Sequence, residues 1–158
     1  MMRDKELYSK IFHLQEPWKI TDVDVNREEK KVIIHIELTE KAIGVCPKCN
    51  EPCHGYDHRV QKWRHLDTCQ YRTIIEAKVL RINCKTHGVL TIRVPWAEEN
   101  SHHTTLFEAL IIDWLKEATI KAISEQFDMS WNAVDLIMQH AVSRGLKRMN
   151  LKKKELGT

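Results

Sequence analysis

No run in this chain approaches the roughly 18 consecutive apolar residues that a membrane-crossing helix needs, so a helical membrane protein is not expected. The amino terminus, Met1 to Lys10, is polar and charged where a secretory leader would be apolar, which makes the cytoplasm the expected location. Glycine and proline are scarce, 5 and 4 residues, and there is neither an internal repeat nor a low-complexity stretch. Length excludes more. At roughly 100–200 residues per domain, 158 residues hold one ordinary domain or two small ones, and a large enzyme with a separate substrate domain does not fit. An apolar content of 42% is too high for a disordered chain.

What is present is unevenly distributed. The formal net charge of +3 conceals a basic stretch over residues 44–96, with 9 Lys/Arg against 4 Asp/Glu. Residues 97–143 are acidic, with 2 against 8, and residues 144–158 are basic again, with 6 against 1. Positive charge gathers around the cysteines and at the carboxyl end, a footprint suited to a polyanion. Five cysteines is an odd number, and two stand three apart in Cys46-Pro47-Lys48-Cys49. Without an export signal, that pattern points to a metal site before a disulfide framework.

Periodicity divides the chain. Trp18 to Val25 alternates apolar and polar residues, Asn26 to Lys30 is turn-like, and Lys31 to Leu38 is β-branched, which together predict a hairpin. Tyr71 to Ile82 and Gly88 to Val94 read as further strands, the last ended by Pro95. Ala97 to His103 is polar. From Thr104 the spacing turns helical, with Phe107, Leu110, Ile111, Trp114 and Leu115 on one face. Two more helices are predicted over Ile120–Phe127 and from Trp131 to about Arg148. The expected architecture is α+β: a β-rich metal-binding module over 1–96, a linker over 97–103, a helix-turn-helix domain over 104–150 and a basic tail over 151–158.

The second cysteine motif, Cys84-Lys85-Thr86-His87, repeats the two-residue spacing with imidazole as its last ligand. The 34 residues between the pairs are room for two strands. Cys46, Cys49, Cys84 and His87 are the expected ligands of one structural Zn2+, since three thiolates and an imidazole close tetrahedrally and leave no position for a substrate. Such an ion contributes directly to folding. A redox Cys-x-x-Cys would call for a thioredoxin-like βαβ pattern, which is missing here. Cys53 and Cys69 read as bystander thiols, although Cys53 lies close enough to compete for the ion; His58, His65, His102 and His103 read as structural or solvated.

Ile120 to Met138 suits two short helices crossing at a tight turn. Small Ser124 falls where the helices approach, and Ile123, Phe127, Val134, Ile137 and Met138 face inward. Asp128 occupies the turn position that demands a left-handed backbone, which Asp tolerates better than most residues. Ser130 is expected to cap the next helix. As a recognition helix its outer residues are Trp131, Asn132, Asp135 and Gln139, and Asn and Gln can read adenine edges. The cations for phosphate are expected from Arg144, Lys147, Arg148 and Lys152 to Lys154, and from Arg59, Lys62, Arg64, Arg72 and Arg81 in the metal-binding segment.

With these motifs in place, the sequence resembles the amino-terminal half of the IS-L-three group of bacterial insertion-sequence transposases. The likeness is carried by Cys46-Pro47-Lys48-Cys49, Cys84-Lys85-Thr86-His87-Gly88-Val89 and Val94-Pro95-Trp96-Ala97-Glu98. It continues through Ser101 to Glu108 and Ser130-Trp131-Asn132-Ala133-Val134, in the family's order from about Leu14 to Arg148. Phe127 and Asp128 depart from the family's leucine-glycine turn. The resemblance implies a zinc module followed by a helix-turn-helix that recognises the element's terminal inverted repeats, with a catalytic domain of metal-binding carboxylates to follow. Here the chain stops at Lys154 to Thr158, where that domain would begin, so strand cleavage is not expected of this polypeptide.

The expected function is therefore zinc-dependent, sequence-specific binding of double-stranded DNA without catalysis. The expected DNA contacts are Ser130, Trp131, Asn132, Asp135, Gln139, Arg144, Lys147 and Arg148. The alternative is a protein-interaction module that self-associates, as a homodimer, through Trp114, Trp131 and Leu136. An independent hydrolase or redox enzyme would need a nucleophile–base pair, a phosphate loop or an open three-ligand metal site, and none is apparent.

Overall fold

The alternating and β-branched runs become one mixed sheet in the computed structural model, which describes residues 3–157. Its strands are β1 (Trp18–Asn26), β2 (Lys31–Leu38), β3 (Gly44–Val45), β4 (Pro52–Thr68), β5 (Tyr71–Cys84) and β6 (Gly88–Thr91). The order is β1-β2-β5-β4-β3, with β6 also on β5. The β1–β2 hairpin forms as its pattern predicts, and the Glu29 N–H donates to Asn26 Oδ1 at 3.0 Å across its turn. β2 then runs parallel to β5, setting Val32, Ile34 and Ile36 beside Thr73, Ile75 and Ala77. All six are at most 2% exposed, and they form the centre of the core.

Two-residue β3 is not anticipated by the sequence, and neither is the run that forms β4, although the knuckles leave room for two strands between them. The first eleven residues of β4, Pro52 to Lys62, are exposed or half-buried, and only Trp63, Arg64 and His65 are buried. A strand wet on both faces over most of its length shows no period-2 apolar signal. A short helix before the sheet, α1 (Asp4–Ile11), also carries a weak signal, because Tyr8 is its one buried residue. The Tyr8 hydroxyl donates to Thr68 Oγ1 at 3.3 Å and ties the helix to the end of β4.

β6 is shorter than the predicted run to Val94. The Ile92 N–H still donates to the Leu80 carbonyl of β5 at 3.1 Å, but Val94 and Trp96 leave the ladder to pack on the core, and Trp96 meets Trp18 and Trp63 edge-on at centroid distances of 4.9 and 5.4 Å. The polar stretch that follows is stitched to the edge of β4. The Arg64 N–H donates to the His102 carbonyl, the Thr104 N–H donates to the Arg64 carbonyl, and His65 Nδ1 lies 2.8 Å from Thr104 Oγ1. Residues 97–103 thus have a fixed path against the sheet.

The chain divides into two compact units, one ending at Thr105 and the other beginning at Leu106. The helical unit comprises α2 (Thr105–Leu115), α3 (Ile120–Phe127) and α4 (Trp131–Leu156). Phe107, Ile111, Ile123, Val134 and Ile137, each at most 2% exposed, fill its centre. Phe127 takes Phe107 and Trp114 edge-on at 6.2 and 5.9 Å. α4 runs well past Arg148 and includes most of the predicted tail. Leu, Lys and Glu are good helix formers, and Lys153 and Lys154 in the last turn suit the negative end of the helix dipole.

Candidate metal centre and nucleic-acid interface

β3 and the start of β4 pair through Gly44↔Cys53 and Val45↔Pro52, so the loop between them projects Cys46 and Cys49 from one hairpin. β5 delivers Cys84 as its last residue, and His87 stands in the turn to β6, where Gly88 takes φ +75. Gly44 makes the approach of β3 possible: a Cβ there would come within 2.3 Å of Ile82 Cγ2. The first knuckle is closed by Cys46 N–H to Glu51 O at 3.0 Å and Asn50 N–H to Cys46 O at 2.9 Å, with Asn50 in the left-handed region at φ 60. Arg93 donates to the Pro47 carbonyl from the chain after β6.

The ligating atoms of Cys46, Cys49, Cys84 and His87 all lie within 4.8 Å of one another. Cys49 Sγ is 3.7 Å from Cys84 Sγ, and His87 Nδ1 is 3.6 Å from both Cys46 Sγ and Cys84 Sγ. Zinc–sulfur bonds of about 2.3 Å and zinc–nitrogen bonds of about 2.0–2.1 Å give tetrahedral edges of about 3.8 Å for S···S and about 3.6 Å for S···N. The four groups therefore fit a tetrahedral zinc ion in size and in chemistry.

The backbone favours thiolate at two of these positions. N–H groups of His87 and Thr86 point at Cys84 and hold it down at about 7, against the pull of burial. Burial pushes Cys46 up, but the N–H groups of Cys49 and Lys48 more than offset it, so its pKa lies below the ordinary thiol value. Glu51 N–H lowers Cys49, yet burial and the neighbouring thiols of Cys46 and Cys84 prevail and raise it to about 11. Three thiolates at this spacing repel one another unless a cation sits among them. Cys53 packs half-buried beside this group with its thiol donating to the Glu51 carbonyl at 3.3 Å, and Cys69 is exposed in the β4–β5 turn.

In the helical unit, Thr119 Oγ1 accepts from Ala122 N–H at 3.2 Å to cap α3, and Ser130 Oγ accepts from Ala133 N–H at 3.1 Å to cap α4. Between them Asp128 adopts φ 50, ψ 58, a left-handed conformation. The Met129 N–H donates to the Ser124 carbonyl at 3.0 Å, and Ser124 Oγ donates to the Met129 carbonyl at 2.5 Å, so one small side chain closes the turn. The geometry is that of a helix-turn-helix.

The reading end of α4 presents Trp131, 53% exposed, and exposed Asn132. Ser130 spends its hydroxyl on the cap, and Gln139 donates to the Asp135 carboxylate at 2.6 Å, which fixes that amide. Arg144 is half-buried 3.9 Å from the buried carboxylate of Glu108, while Lys147 and Arg148 are exposed. Of the cations expected near the metal, Arg64 is buried and Arg81 is held by Asp57 through both carboxylate oxygens. Thr119, at the amino-terminal end of α3, is the cap that the sequence reading passes over, although a Thr before an apolar run is an ordinary cap signal.

A paired-knuckle Cys/His cluster followed by a helix-turn-helix defines a class of DNA-binding proteins. Residues 43–87 match the zinc-finger of transposase IS204/IS1001/IS1096/IS1165, and residues 92–142 match the helix-turn-helix domain of transposase family ISL3. Both matches are to domains of transposases, which together span most of residues 43–142. The chain is 26% identical over 156 residues to the transposase for insertion sequence element IS1557 in two strains of Mycobacterium tuberculosis. That alignment covers 94% of this chain and 35% of each relative, so the chain spans about a third of their length. No solved structure matches it. No helix among the described residues is long and apolar enough to cross a membrane.

Proposed function

We propose that this chain is the DNA-recognition region of an insertion-sequence transposase, which binds double-stranded terminal inverted repeats in the bacterial cytoplasm without itself cutting them. The observation that carries this reading is the capped, left-handed turn at Asp128, which offers Trp131 and Asn132 at the front of α4. One structural Zn2+ on Cys46, Cys49, Cys84 and His87 would order the sheet unit. Asn132 can pair bidentately with an adenine edge, and Trp131 supplies an apolar surface for a thymine methyl group. Lys147, Arg148 and Lys152 to Lys154 hold phosphates beside the groove, and Arg144 supports α4 through Glu108.

Selection from a random duplex library, followed by mobility shifts on the selected site and on a scrambled duplex, tests this. Wild type should prefer the selected site, and Asn132→Ala should lose discrimination at one base position, by about 1–3 kcal/mol. Equal affinity for every duplex would remove the sequence-specific part. The second reading, a homodimer, is favoured by Leu136, Val142, Leu146 and Met149, each more than half exposed along α4. Sedimentation of the free chain as a monomer at high concentration would set it aside.

A further inference from the structure

The sheet unit carries a cleft of about 960 Å³ that the metal centre does not use. Its floor is one face of β4 and β5. Arg59, Gln61 and Trp63 alternate along β4, and Arg81 is paired with Asp57 on that same face. Arg93 enters from the chain after β6, and Glu98 to His102 complete the wall. Four cations line this space, Arg59, Lys62, Arg81 and Arg93, against two acids, Glu98 and Glu99. Asp57 compensates Arg81, and Glu76, 3.7 Å from Lys62, partly compensates that residue. Arg93 donates to a neutral carbonyl and keeps its charge, and Arg59 stands exposed on the strand. Guanidinium groups are suited to phosphate because their planar forks match its oxygens.

The helix-turn-helix proper has few cations of its own, and Lys147, Arg148 and Lys152 to Lys154 lie beyond it along α4. Over residues 106–143 the helical unit has 2 Lys and 6 Asp/Glu, and Arg144 is occupied by Glu108. Affinity for a nucleic acid comes largely from cations that displace counterions from phosphates. We infer that the cleft is a phosphodiester-backbone site, a second hold on the nucleic acid that is separate from the helix-turn-helix. The inference rests on the DNA-binding reading above. Duplex DNA and a displaced single strand share this chemistry.

The test uses the full chain with zinc bound, a 30-base-pair duplex carrying the selected site, and the corresponding single strand. Arg59→Gln should weaken binding to one of these probes about five- to tenfold at about 0.1 M salt. It should also make the salt dependence of log Kobs shallower by about 0.9 on the duplex or about 0.7 on the single strand. Arg59→Lys should restore the slope. Gln61→Glu, on the same face of β4 as Arg59, should weaken binding in the same sense, and it decides the matter if Arg59→Gln loses its zinc. An effect confined to the duplex or to the single strand identifies which backbone the cleft holds. Unchanged affinity and slope on both probes would overturn the inference. If Asn132→Ala leaves sequence preference unchanged while the Arg59 effect persists, the helix-turn-helix reading fails and the cleft stands. Absence of binding by wild type to either probe removes both.

Discussion

The two units reach order by different means. Around the metal centre the sheet unit has a small cluster, Cys46, Ile82 and Cys84 with partly buried neighbours, and three sulfurs that repel one another as thiolates unless a cation sits among them. The helical unit needs no ion: two capped helices, a left-handed Asp128 and five well-buried apolar side chains hold its turn. Their charges differ in the same way. Guanidinium groups line the sheet unit's cleft, whereas residues 106–143 of the helical unit carry more Asp/Glu than Lys. The proposed function would draw its base contacts from the helical unit and part of its phosphate contacts from the sheet unit.

Metal removal should break this comparison most sharply. Structural zinc is worth on the order of 10–16 kcal/mol in small zinc modules, so a chelator or Cys84→Ser should unfold the knuckles. Metal content by mass spectrometry should fall from one zinc per chain to none while helical ellipticity at 222 nm largely persists. Concerted loss of both signals would show that the units do not differ as described.

Phe107→Ala should act on the other side. It removes a fully buried ring and should cost about 3–5 kcal/mol, read as loss of helical signal in a denaturant titration with zinc retained.

Acid should act on the sheet unit through His65. Burial lowers its folded pKa to about 4, below the ordinary histidine value of 6.5. Its neutral form contributes stability that is fully present above about pH 6.5 and is lost as pH falls toward 4, because the unfolded chain binds the proton first. His65→Gln should flatten that part of the stability profile relative to wild type, with zinc release monitored separately.

The smallest effects belong to the helix caps and the turn. Ser130→Ala and Thr119→Ala should each cost about 1 kcal/mol. Asp128→Val should cost about 1–2 kcal/mol, because a β-branched side chain fits a left-handed backbone poorly, and Asp128→Gly should be neutral or mildly stabilising. Thermal melts of the holo protein separate these cases.

Most of the candidate site was legible because its signals are local. Cys46, Cys49, Cys84 and His87 announce themselves by spacing, and the Asp128 turn by its position between two apolar helix faces. Ser130 before Trp131 gives the cap. What escaped reading depends on contacts remote in sequence. β4 is a strand because β5 offers it a ladder, and its own pattern is polar over Pro52 to Lys62. α1 is placed by Tyr8 reaching Thr68, 60 residues away. Residues 97–103 look like a tether until the Arg64 N–H is seen to bond His102, with Thr104 fixed just after them by Arg64 and His65. The pairing of Arg144 with Glu108 joins residues 36 apart, and it changes Arg144 from a free cation into a brace.

α4 is unbroken from Trp131 to Leu156, and this has an angular consequence. Each residue of an α-helix turns the next by about 100°, so the azimuth of Lys147 and Arg148 relative to Asn132 is set by the number of residues between them. Inserting one residue after Gly145 would swing those cations through roughly a quarter of a circle without changing the composition of the reading end. Inserting seven would bring them almost back into phase, about 10 Å further along the axis. The helix is both a ruler and a protractor for the charges beyond its reading end.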